Sequence, residues 1–368
     1  MKREGGNSMS PTDDKRANQD RVGVLVMAHG TPSTPDGLEE FYTHIRHGRA
    51  PEPDQLRELR ERYDAIGGIS PLAERTSEQV DGLANLLHSD APGKYLVRLG
   101  AKHVSPSIED GARELCKAGV GRIIGLVLTP HSSSLGSNEY LSRAARAIEE
   151  CLESDELSIS SIFTPIEYWY DSVGFVDLMA DLVLESLGSF PTVHHGIDRI
   201  PVIFSAHSLP VKSQSRSYEG TRSDHGPSDG FGDGPSDGPD DGPDQKEPID
   251  DYQGQLGDSA SLIAEAGEID DWCIAWQSAG RTQDLWLEPS LDEVMTELSN
   301  DQNVKGVVVC PVGFVADHLE VLYDLDIEAK ALADRLNLEF VRTPSLNSEP
   351  RFLRALADVV HDAERSPC

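Results

Sequence analysis

The chain has 368 residues, enough for one large α/β domain or two smaller ones with real cores. Its formal net charge of −32 argues against nucleic acid and anionic membranes as partners, because both are polyanions. Five scattered cysteines with no CxxC spacing suggest neither a zinc knuckle nor a disulfide framework.

Arginine far outnumbers lysine, which suits either a salty cytoplasm or an acidic bacterial proteome. Residues 1–20 are polar, without the apolar core of a signal peptide, and read as a disordered tail. No apolar run approaches the length of a membrane span, so a soluble cytoplasmic protein is expected. Short apolar runs then alternate with amphipathic stretches. The predicted strands are 22–29, 95–101, 122–130, 158–165, 201–207, 272–278, 304–312 and 338–343, and helices such as 107–119, 139–152, 290–301 and 350–365 lie between them. This alternation predicts parallel sheets covered on both faces, in two doubly wound halves with a boundary near 170–195. The halves are taken as 21–175 and 176–368. Cys116, Cys273 and Cys310 fall in apolar patterns and read as small core residues. Residues 213–258 contain GPSDGFGDGPSDGPDDGPD and read as a disordered acidic insertion, since almost nothing there can be buried. Its prolines and the missing distal Glu argue against an EF-hand calcium loop.

Ligands of such sheets bind beyond the carboxyl ends of strands. His29, Thr129 to His131, His207, Gln277, Ser278 and Pro311 to Phe314 all fall there. His207 lies in FSAHSLP, at the end of a buried strand. The stretch PVGFVADHLEVLYDLDIE leaves a strand and enters a helix near Asp317. On that helix Glu320, Asp324 and Glu328 stand at i, i+4 and i+8, a carboxylate row along one face. The row suits either a solvated acidic surface or a cation path. His318 and Glu320 are two apart and do not form a helical metal pair of the HExxH kind. Residues 41–72 concentrate Arg46, Arg49, Arg57, Arg60 and Arg62 in a chain short of positive charge. Arginine forks suit carboxylates, although i, i+4 pairing accounts for Arg57 and Arg60. In the following GGISPL, Ser70 is placed to cap a helix and Pro71 to open it. No GxSxG elbow follows a predicted strand, the spacing occurring only as GPSDG inside the insertion, and no GxGxxG turn follows the first strand, so neither a serine hydrolase nor a dinucleotide enzyme fits.

The motifs FSAHSLP, PVGFVADHLEVLYDLDIE, YTHIRHGRAPEP, RYDAIGGISPL, WQSAGRTQDLWLEP and VGVLVMAHGTP together resemble the ferrochelatases. The similarity is to the soluble coproporphyrin III ferrochelatases of Gram-positive type, over nearly all of residues 21–362 outside the insertion. It implies two Rossmann-like halves with a porphyrin cleft between them, and insertion of ferrous iron into a porphyrin in haem biosynthesis. By the same resemblance His207 and Glu320 form the catalytic iron-side pair, with Asp324 and Glu328 continuing an acidic metal path. Arg46, Arg62, Tyr63, Ser70 and Tyr140 line the porphyrin side. The chemistry agrees, since ferrous iron accepts imidazole and carboxylate and two pyrrole protons must leave the macrocycle. The sequence departs from these relatives at His29, where they carry a tyrosine facing the metal. The polar, basic stretch 39–55 suits a tetracarboxylate such as coproporphyrin III better than the greasier protoporphyrin IX. The resemblance further implies iron as substrate, no permanently bound cofactor, no iron–sulfur cluster, a monomer, and contacts with an iron donor and a later haem-pathway enzyme. Three readings stay open beside it: a protoporphyrin ferrochelatase, a cobalt or nickel chelatase, and a non-catalytic tetrapyrrole or metal carrier.

Overall fold

The computed structural model describes residues 20–134, 136–153, 161–190, 198–211, 251–280 and 284–366. All eight predicted strands form. The first half holds β1 (Val22–Ala28), β2 (Tyr95–Ala101), β3 (Arg122–Val127) and β4 (Ile162–Ile166). The second holds β5 (Val202–His207), β6 (Trp272–Gln277), β7 (Gly306–Cys310) and β8 (Glu339–Arg342). Each half is a four-stranded, all-parallel sheet, in the order β2-β1-β3-β4 and β6-β5-β7-β8. β1 and β5 are therefore equivalent interior strands.

Burial explains which runs became interior strands. Every residue of β1 is buried, as is every residue of β5 except His207. A strand covered on both faces needs such an uninterrupted apolar run. The edge strands β4 and β8 are mostly half-exposed and mix polar with apolar residues.

Helices α1 (Leu38–Ile45), α2 (Pro53–Ala65), α3 (Leu72–Asp90), α4 (Ile108–Lys117) and α5 (Ser137–Glu153) belong to the first half. α6 (Val173–Gly188) leads to β5, and α7 (Tyr252–Ala266) and α8 (Leu291–Leu298) follow. A π-helix, Glu320–Ala329, runs into α9 (Lys330–Leu336), and α10 (Pro350–Arg365) ends the chain. Capping boxes set the starts of α4, at Ser107 and Asp110, and of α8, at Ser290 and Glu293. The start of α3 differs from expectation by one residue. Pro71 is the N-cap and Leu72 the first helical residue, while Ser70 Oγ accepts the Leu72 N–H at 3.4 Å. Pro71 already has φ −71° and no N–H to satisfy, so it can flank the helix.

The expected insertion is shorter at its far end. Residues 252–258 form the first two turns of α7, where Tyr252 and Leu256 are buried. Residues 212–250, like the predicted tail, lie outside the described residues. The expected division at 175/176 falls inside α6. α6 packs on α7 and α10, and α10 returns from the second half to pack on α3, β3 and β4. One core accordingly runs through both halves, joining Val24, Val26 and Ile124 with Phe204, Val308, Phe352 and Leu356. Among the described residues, no helix is long and apolar enough to cross a membrane.

Phe352 is fully buried in that shared core, 5.9 Å from the Trp169 ring. Truncation to Ala is expected to cost about 3–5 kcal/mol. Calorimetry should show a single transition at lower temperature. Two separated transitions would mean that the halves unfold independently.

Candidate active site

The site is built where the two equivalent strands end. β1 runs out at Ala28, and His29, Gly30, Thr31 and Pro32 follow; β5 closes with Ala206 and His207, and Ser208, Leu209 and Pro210 follow. Both read A-H-x-x-P. Gly30 has φ +83°, and a Cβ there would lie 2.5 Å from Val104. The chain thus turns sharply just past His29. His207 and Glu320 meet at 3.6 Å, Nε2 to Oε1, each side chain about one third exposed (34% and 32%). His318 approaches the other carboxylate oxygen, Nε2 to Oε2, also at 3.6 Å.

The backbone sets the tautomer of all three imidazoles. His29 Nδ1 donates to the Gly30 carbonyl at 3.0 Å, His207 Nδ1 to Ser208 at 2.5 Å, and His318 Nδ1 to Ala316 at 2.9 Å. A carbonyl only accepts, so the proton sits on Nδ1 and each neutral ring presents Nε2 as a lone pair. Metal-binding histidines are commonly oriented in this way.

Charge is concentrated on Glu320. Burial opposes its ionisation, but His207, His318 and His29 overcome it and hold the carboxyl at about 2. In return Glu320 outweighs the desolvation of His318 and raises that imidazole's pKa. His29 is accessible along one side, yet the protein mass around it lowers its pKa, against the pull of the Gly30 carbonyl and Glu320. The site is thus an ionised carboxylate set among three imidazoles.

The predicted residues fall into three groups. His207 and Glu320 come together, with His29 close enough for its charge to act on Glu320. Arg62, Tyr63 and Asp324 lie beside them. Arg62 Nη2 donates to Asp324 Oδ1, its guanidinium sits 4.7 Å over the Tyr323 ring, and Ser278 Oγ donates to Asp324 Oδ2. Arg62 is thus paired with a carboxylate of the other half of the chain. Tyr63 is buried against Leu38 and Leu56, with its hydroxyl 3.4 Å from Thr31 Oγ1. Burial raises its pKa. The third group lies apart from the pair. Tyr140 is buried among Ile123, Val127 and Leu141, with Lys102 Nζ 5.5 Å from its ring centre, because its position on α5 faces the outer core of the first half. Ser70 is buried at the start of α3. Arg46 donates to Gln55 at 2.5 Å and lies over Tyr42. Arg57 pairs with Asp54 and Glu61, and Arg60 with Glu39, as helix-surface charges do.

The carboxylate row is not one uniform ladder. Asp324 is half-buried and tied to Arg62 and Ser278, whereas Glu328 is exposed. Among the described residues, no three His, Cys, Asp or Glu side chains form a ready metal cage. His207 and Glu320 face one another, while Asp324 and Glu328 follow one and two turns along the same helix.

Sequence reasoning passed over His318 because it assumed a helix from Asp317. The helix begins only at Leu319, so His318 sits in the preceding loop and turns back onto Glu320. It also passed over His103 and His44. His103 packs 4.6 Å from the His29 ring, and its Nδ1 shares a hydrogen bond of 2.9 Å with His44 Nδ1. Burial first, then His29, Lys102 and His44, push the His103 pKa down to about 2. The repeated A-H-x-x-P was the available signal that His29 and His207 are counterparts.

Two parallel sheets with histidines at equivalent strand ends and one ionised carboxylate between them define a chelatase-like site. Comparison with known proteins agrees. The ferrochelatase family profile matches residues 21–364, and the chain belongs to that family. It is 38% identical over 341 residues to the coproporphyrin III ferrochelatase of Bacillus subtilis (strain 168), covering 92% of this chain and 97% of that one. It is 36% identical over 347 residues to the coproporphyrin III ferrochelatase of Oceanobacillus iheyensis, covering 94% and 98%. In fold it is similar to the sirohydrochlorin chelatase SirB from Bacillus subtilis subspecies spizizenii, solved with cobalt. There the TM-score is 0.52 at 11% identity, over 94% of this chain and 97% of that one.

Glu320→Gln removes the charge that raises the His318 pKa, so that pKa should fall. Imidazole proton–nitrogen spectra across pH 5–9 would read it, and an unmoved His318 titration would disprove the coupling. The sign for stability follows from Glu320. Its folded pKa lies below the ordinary carboxylate value, so its contribution is present above about 4.5 and disappears as pH falls toward about 2. The Glu320→Gln variant should lack that part of the acid-unfolding profile.

Proposed function

We infer that this protein inserts ferrous iron into coproporphyrin III, releasing two protons and Fe-coproporphyrin III, as an enzyme of haem biosynthesis. The observation that carries the reading is the ferrochelatase match over residues 21–364, with His207 and Glu320 facing one another inside it. No resident cofactor is required: iron is a substrate, and the chain's part is to receive it, orient it and remove protons.

His207 is the base. Its Nδ1–H is tied to Ser208, so Nε2 accepts a pyrrole proton. Glu320, ionised at neutral pH, stabilises the imidazolium that results. His318 offers a second acceptor on the same carboxylate. Asp324 and Glu328 continue the acidic face along the π-helix and favour approach of a cation. Arg46 and Arg62, with the exposed Arg49, supply guanidinium groups for carboxylates at the rim, and Tyr63 and Ser70 support that wall. A tetracarboxylate uses such a polar rim more fully than a dicarboxylate.

We assign His29 as the axial ligand of the product iron, on the face opposite His207. Its Nδ1 is tied to Gly30 and its Nε2 is free of a proton. Imidazole is a strong ligand for haem-type iron.

Anaerobic assays with ferrous iron should give turnover with coproporphyrin III and much slower turnover with protoporphyrin IX. The reverse preference would transfer the reading to protoporphyrin. Stoichiometric binding without turnover would make the protein a carrier. His207→Ala should abolish insertion while porphyrin binding persists, and wild-type turnover in that variant would remove its role. With Fe-coproporphyrin III bound, the wild type should show a nitrogen-ligated absorption and spin-resonance spectrum. His29→Ala should lose it and His29→Tyr should become phenolate-like, whereas identical wild-type and His29→Ala spectra would exclude ligation.

A further inference from the structure

Arg62 and Asp324 are 262 residues apart and belong to different halves, Arg62 on α2 and Asp324 on the π-helix. Arg57 and Arg60 find their carboxylates within the first half, but Arg62 reaches across. The pair is half-buried, at 29% exposure for Arg62 and 12% for Asp324. Both Asp324 oxygens are occupied, one by Arg62 and one by Ser278. Arg62 is not saturated: its buried Nε has no partner among the described residues. A guanidinium with a spare donor, fastened to a carboxylate one turn from Glu320, is arranged to accept a different carboxylate.

We propose that Arg62 exchanges partners during substrate binding. Before porphyrin arrives it holds Asp324 and latches the two halves, and an arriving porphyrin carboxylate takes the guanidinium and releases Asp324 toward the incoming cation. The proposal rests on the ferrochelatase reading above. Its energetics need little net change, because one charge-assisted carboxylate–guanidinium contact replaces another. Its consequence is order. Asp324 is only 12% exposed, so once Arg62 leaves, its carboxylate lacks a counter-charge and favours an incoming cation. Porphyrin and metal affinities are then coupled, each raising the other.

The latch must open before a carboxylate can bind Arg62, so it weakens apparent porphyrin affinity by the fraction of molecules already open. Coproporphyrin III is titrated without metal by fluorescence, and iron dependence is read separately in the anaerobic assay. Asp324→Asn should tighten coproporphyrin III binding by about fivefold or more, while raising the KM for iron. A merely structural Asp324 would weaken both. Glu61→Gln, an exposed neighbour of Arg62, removes the same charge and should leave porphyrin affinity unchanged. In an Arg62→Gln background, Asp324→Asn should give no tightening. Ser278→Ala, which frees one Asp324 oxygen, should shift porphyrin affinity the same way by less, and it stands in where Asp324→Asn folds poorly. Unchanged or weaker binding in Asp324→Asn, an equal gain in Glu61→Gln, or a gain that survives Arg62→Gln would overturn the exchange. A wild-type protein that binds no coproporphyrin III would overturn the functional reading itself.

Discussion

The structure depends on the placement of one carboxylate. Glu320 is held ionised between His207 and His318, with His29 near enough to contribute, against the desolvation that would otherwise protonate it. No single element could create this environment. His207 comes from the end of β5, Glu320 from the π-helix after β7, and His29 from the end of β1 in the other half. Two parallel sheets of the same strand order, sharing one core, bring those ends together.

The π-helix gives the site much of its character. Helical structure begins at Leu319, just ahead of it and later than Asp317, which leaves His318 in a loop that folds back on Glu320. Its second acidic residue is tied into the opposite half and its third faces solvent, so three carboxylates at regular spacing have three different environments. π-Helical turns are rare and often accompany functional sites. Here the chemistry depends on which neighbour each carboxylate meets. Spacing alone does not distinguish them.

The imidazoles of the site differ in basicity. His318 is made more basic by Glu320, whereas His29 is made less basic by the protein around it. The His103 and His44 pair behind His29 reinforces this. His103 stays neutral beside His29 and adds no positive charge there.

By itself the sequence determined the strands and most helices, because uninterrupted apolar runs such as 22–28 and 306–310 can be satisfied only as buried parallel strands. The predicted starts at 107, 290 and 350 also fall within one residue of α4, α8 and α10. The strand-end histidines and the carboxylate row were visible as residue types at positions where ligands bind. Tertiary structure alone decided their partners. Arg62 is spoken for by Asp324 across 262 residues, His318 turns toward Glu320, and Tyr140 faces the core of its own half. Periodicity reports which face of an element is apolar. The partner that a charged group meets depends on how two sheets and their exchanged helices pack, which is a property of the whole chain.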